Sequence, residues 1–160
     1  MINFIDKKAL AKEYLLLAKN TITKNPLASI FYAKRSLSIN PNDTFGLILV
    51  SRALYDQKNY AEALKYLQES IAIIKTSTSE DDREVLAQLL CYELRCKLKL
   101  YNFDAAQAEI KKTFSIFDKL KVRTKDILEM IEELEVFTKE YLQTRGQVTV
   151  FPLLSLKLFH

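Results

Sequence analysis

Residues 44–75 read TFGLILVSRALYDQKNYAEALKYLQESIAIIK. Leu47, Val50, Ser51 and Leu54 recur at helical spacing, Ala63, Leu67 and Ser70 do so again, and Gln57-Lys58-Asn59-Tyr60 separates the two runs. So short a turn between two helices favours an antiparallel hairpin. Working outward, apolar residues keep the same period almost throughout. The interruptions are Thr23–Pro26, Asn40-Pro41-Asn42-Asp43, Lys58-Asn59, Thr76–Asp82, Asn102 and Lys121–Thr124. Pro26 lacks an amide donor and biases Asn25 away from helix, and Asp43 is a natural N-cap. The spacing predicts seven helices: about 6–22, 27–39, 43–57, 60–75, 82–100, 104–120 and 124–144. Gly146 is expected to end the last, because glycine enters a left-handed cap without steric cost.

Composition agrees with an all-α fold. The 160 residues include two Gly and three Pro, against about 12% in an average domain, and a sheet protein needs far more turns. With 49% apolar and 28% charged residues, the chain is neither collagen-like, linker-rich nor disordered. Its length suits one domain with a continuous core, expected over residues 1–146, followed by a tail at 147–160. Cys91 and Cys96 lie five apart, about 140° around a helix, so they read as buried small hydrophobes rather than a bridge or a zinc site. Asp6, Lys7 and Lys8 stand where a signal peptide needs its apolar centre, and a cytoplasmic location is expected.

The helices come in pairs with a shared rhythm, which calls for a repeat search. The 44–75 segment resembles a tetratricopeptide repeat, with Leu47, Val50, Ser51 and Leu54 on the first helix and Ala63, Leu67 and Ser70 on the second. It departs at Leu47, where the family often has Trp, and at Lys75, where it often has Pro. One repeat earlier, Tyr14, Leu17 and Ala18, then Ser29, Ala33, Ser36 and Pro41, fill the same positions. One repeat later, Tyr101-Asn102-Phe103 matches the turn, followed by Ala106, Ile110 and Thr113, at an offset of 43 rather than 34 residues. The resemblance covers about residues 10–120 and implies a superhelix of antiparallel helices, an α-solenoid. Its small residues, such as Ala18, Ser51, Ala63 and Ala106, would let helices approach closely. Helix 124–144 reads as a cap: Ile127, Met130, Ile131, Leu134, Phe137 and Tyr141 form one stripe, with Glu129, Glu132, Glu133 and Glu140 towards water.

Catalysis is poorly supplied. The one histidine is the terminal His160, and Gly46 and Gly146 stand alone, so no phosphate-cradling loop can be written. Asp81-Asp82 is expected in a polar loop. Glu132 and Glu133 sit about 100° apart on a helix. Glu129 and Glu133 lack the Glu-x-x-His partners of a di-metal bundle. A non-catalytic chain is expected, with no cofactor, metal or small-molecule substrate.

Binding is better supplied. The family resemblance implies that the first helices of successive repeats line a concave groove. Carried over, those positions are Lys12, Leu15, Lys19 and Ile22, then Phe45, Ile48, Arg52 and Tyr55. In the third repeat they are either Tyr92, Cys96 and Lys99 or Cys91, Arg95 and Leu98, according to register. Such a surface suits a peptide or extended segment of another protein, acidic or amphipathic, with Arg52 able to grip a carboxylate and Tyr55 offering a rigid face. The function implied is that of a protein-binding adaptor, scaffold or chaperone. Co-chaperone domains that hold acidic chaperone C-termini use Lys and Asn where this chain has Leu15, Lys19 and Leu49, so that ligand is not expected.

Formal charge is +4, with two Lys against six acids in residues 124–143. The basic remainder attracts acidic peptides, while a pI near 8.9 falls short of a nucleic-acid footprint. The tail VTVFPLLSLKLFH (148–160) holds eight large apolar residues and no acid. Leaving Phe151, Leu153, Leu154, Leu156 and Phe159 in water is costly, so the tail packs on its own chain, pairs with another chain, or rests on a membrane. The second option makes the protein a structural subunit of a homo-oligomer or larger complex.

Overall fold

The computed structural model describes residues 6–150, with side chains through Arg145. Among the described residues seven α-helices follow one another: α1 Lys7–Thr21, α2 Pro26–Ile39, α3 Thr44–Asp56, α4 Tyr60–Ile74, α5 Glu80–Leu100, α6 Phe103–Leu120 and α7 Lys125–Val150. Among the described residues there is no strand. None of these helices is long and apolar enough to cross a membrane. The chain divides into two compact units, one up to Asp82 and one from Arg83 onward.

Local chemistry sets the helix starts. Asp6, Asn25, Asp43 and Asn102 each accept a hydrogen bond from a main-chain amide of the following turn: Lys8 at 3.0 Å, Ala28 at 3.1 Å, Phe45 at 3.1 Å and Ala105 at 2.9 Å. Pro26 occupies the first turn of α2, where its missing donor costs nothing.

Two boundaries differ from expectation. The loop drawn through Asp82 ends earlier: Glu80, Asp81 and Asp82 form the first turn of α5, where three carboxylates favour the positive end of the helix dipole. The acidic pair is therefore helical. The last helix does not stop at Gly146 but continues to Val150. A glycine permits a left-handed cap without requiring one, and no described glycine has positive φ. The expected tail thus begins inside α7, and its apolar residues from Phe151 on lie outside the described residues, as does His160.

In the first unit α1 packs on α2, α2 on α3 and α3 on α4, with α1 also reaching α3. The contacts are made by small side chains. Ala18, Ser29, Ala33, Ser36, Ala53, Ala63 and Ser70 are fully buried. The Ser29 hydroxyl donates to the carbonyl oxygen of Ala18 at 2.7 Å, and Ser36 to that of Ala11 at 2.8 Å. Hydroxyls on α2 thus reach the main chain of α1, which requires close approach. Leu47, Val50, Leu54 and Leu67 fill the space between. Gly46 is a further close point: a Cβ there would lie 3.1 Å from Leu37 Cδ2 and 3.5 Å from Leu15 Cδ1. Leu17, which fills the repeat position of the buried Val50, is 43% exposed, because it flanks the buried stripe of Ala11, Ala18 and Ile22 rather than lying in it.

In the second unit α5 supplies most of the core through Leu86, Leu89, Leu90, Cys91, Leu94, Cys96 and Leu98. Ala106, Ile110, Thr113 and Phe117 of α6 and Ile127 and Leu134 of α7 complete it. Both thiols are free, and burial pushes each up to about 12. Lys97, with its side chain 8% exposed, lies between Glu93 at 3.2 Å and Glu109 of α6 at 2.8 Å. Burial works against its charge, but the bonds to Glu109 and Glu93 outweigh it and raise its pKa. Glu84 of α5 accepts from the amides of Arg123 at 2.8 Å and Thr124 at 3.3 Å, holding the chain just ahead of α7.

Candidate functional site

The candidate residues form three helix faces. On α1, Lys8, Lys12, Leu15 and Lys19 follow at intervals of four, three and four, which sets them in one stripe beside the buried row of Ala11 and Ala18. The lysines are exposed and Leu15 is half-buried. Leu15 leans on Gly46, so this stripe borders α3. On α3, Phe45, Ile48, Arg52 and Tyr55 form a second stripe. Phe45 is 45% exposed and Arg52 exposed. Ile48 and Tyr55 are half-buried, and the Tyr55 ring meets Tyr60 edge-on with centroids 5.4 Å apart.

A hollow of about 620 Å³ opens where α1 meets the α2–α3 turn. Lys7, Lys8 and Lys12 ring it, and Ala11, Leu15 and Ile39 form an apolar floor, with Asn40 and Asp43 at the turn. The Asp43 carboxylate is already engaged by the Phe45 amide. The structure therefore brings Lys12 and Leu15 into one concavity. It adds Lys7 and Lys8, which were not among the expected site residues although Lys8 stands four before Lys12 on the same face. The surface can accept an apolar side chain while offering ammonium groups to neighbouring carboxylates.

On α5, Cys91, Cys96 and Leu98 are buried, whereas Tyr92 and Arg95 are half-buried and Lys99 exposed. The accessible face is therefore the one carrying Tyr92, Arg95 and Lys99. Here α7 lies close. The Arg95 guanidinium sits over the Phe137 ring at 4.8 Å. Lys99 borders a hollow of about 210 Å³ together with Phe137, Tyr141 and Arg145. Phe103 stacks on Tyr141 at 6.2 Å, and Arg145 lies over the same ring at 5.8 Å. Arg95 is thus held in a packing contact within the unit. The aromatic partners were legible as one stripe of α7, but not as partners of these cations.

Among the described residues no group of three or more His, Cys, Asp or Glu side chains could hold a metal ion. With their raised pKa, Cys91 and Cys96 are thiols at neutral pH and weak nucleophiles. No family model, no curated protein and no solved structure matches the chain.

Proposed function

We propose that this chain is a non-catalytic adaptor or chaperone of tetratricopeptide-like architecture, acting in the cytoplasm, that binds an acidic, amphipathic segment of a partner protein. The reading is carried by one observation: α1 and α3 present Lys12, Leu15, Lys19, Phe45, Ile48 and Arg52 on accessible faces, beside a hollow with a cationic rim and an apolar floor. Large apolar side chains left accessible next to cations mark an interaction surface rather than a finished core. Apolar anchors supply affinity there, and the cations select carboxylates and speed encounter.

The test uses a fluorescein-labelled helical peptide with leucines at i, i+4 and i+7 and glutamates between them, against the same peptide with lysines. Wild type should bind the glutamate form at least tenfold more tightly at low salt. Lys19→Glu combined with Arg52→Glu should reverse that preference with circular dichroism unchanged. Equal binding of both peptides by wild type, or unchanged binding by the folded double variant, removes this surface from the function.

A further inference from the structure

The acidic amphipathic segment that suits the α1 hollow has a counterpart within this sequence. Helix α7 commits Ile127, Leu134, Phe137 and Tyr141 to its own unit. Its opposite face carries Leu128, Glu132 and Val136 at four-residue spacing. Leu128 is 41% and Val136 58% exposed, and Glu129 and Glu133 flank them, both exposed. Over its length α7 holds six carboxylates against three cations. Helix α1 is the reverse, with four lysines against one glutamate. Large apolar side chains at 41% and 58% exposure between carboxylates match a hollow whose apolar floor is ringed by Lys7, Lys8 and Lys12.

We infer that the chain associates head to tail, the outer face of α7 of one copy docking in the α1 hollow of a second. The inference rests on the reading of that hollow as a docking surface and names its occupant. The two contacting surfaces are different, so the contact is heterologous. An open assembly always leaves one hollow and one α7 face unfilled at its ends, so association continues as an open chain or stops when a ring closes and fills both. The driving charges are exposed, so salt screens them.

The experiment is light scattering on the full chain. Wild type should show a mass at least twice the 18.6 kDa of one chain, rising with concentration at about 50 mM salt and falling towards one chain at about 500 mM. Two variants, Lys8→Glu with Lys12→Glu and Glu132→Lys with Glu133→Lys, should each be monomeric with helicity unchanged. Mixed one to one, they should associate again, because each now complements the other. Three results overturn the inference: a wild type of single-chain mass throughout, variants that associate as wild type does, or a mixture that stays monomeric. Capture of the glutamate peptide by a monomeric wild type would leave the proposed function standing while this inference falls.

Discussion

The ammonium of Lys97 on α5 donates to the Glu109 carboxylate on α6 at 2.8 Å, and both belong to a cluster in which one buried cation serves two carboxylates. Removing the cation leaves Glu93 and Glu109 uncompensated, so Lys97→Met should cost about 3–5 kcal/mol in urea unfolding at neutral pH. Replacing all three by apolar residues should be far milder. Because the pKa of Lys97 is raised in the folded chain, its contribution is complete below the ordinary value of 10.5 and is lost as pH rises through the higher folded value. Wild type should therefore weaken above that point more steeply than Lys97→Met. Equal midpoints for Lys97→Met and wild type at neutral pH would refute the cluster's role.

Helix contacts built on small side chains should resist enlargement more than deletion. Ser29→Ala loses one hydrogen bond, about 1 kcal/mol or less. Ser29→Val and Ala63→Val force fully buried contacts apart, about 1–3 kcal/mol each. The order of chemical denaturation midpoints, alanine above valine at position 29, checks this directly.

Glu84 joins the α6–α7 connection to the start of α5. The amides of Arg123 and Thr124 hold its carboxyl below the usual carboxylate range. Its contribution is thus present above the ordinary value of 4.5 and disappears as pH falls through the lower folded value. Exposure limits the effect, so Glu84→Ala should cost under about 1 kcal/mol at neutral pH. Thermal melts of the two chains should converge in acid; a constant gap would show that the amide bonds are not its source.

Lys58 and Lys121 have φ of 61° and 52°, a backbone region that costs a side-chain-bearing residue about 1–2 kcal/mol. Lys58→Gly and Lys121→Gly should each stabilise by up to about 1 kcal/mol, read as a higher melting temperature, since glycine enters this region freely. Destabilisation by either would mean that the lysine side chain makes a contact worth more than the strain.

Much of this architecture was legible from residue type and spacing. Asp43 announced a helix start because a short polar side chain caps amides, whereas Asn102 was legible only as a turn and its capping of α6 is seen in the structure. Ala18, Ser29, Ala33, Ser51, Ala63 and Ala106 announced close contacts because nothing larger fits. The missing parts depend on what lies across a contact. Periodicity placed Cys91, Arg95, Cys96 and Lys99 on one helix but not on its inner or outer side, since α5 carries apolar residues nearly all round. The role of Lys97 is set by Glu109, which reaches it from another helix and which periodicity along α5 cannot show. Gly146 carried a stop signal that only neighbours can enforce, and Lys7 and Lys8 became part of a concavity through the α2–α3 turn, about thirty residues later in the chain.

The hydroxyls of Ser29 and Ser36 meet carbonyl oxygens seven residues apart on α1, the same separation as their own. Two fastenings at matched intervals, each pinned to the main chain, resist the sliding of α2 along α1 by a single turn, since such a ratchet would break both at about 1 kcal/mol each. A shape change in this part of the molecule is therefore less costly where the first two helices move as one piece and adjust against α3.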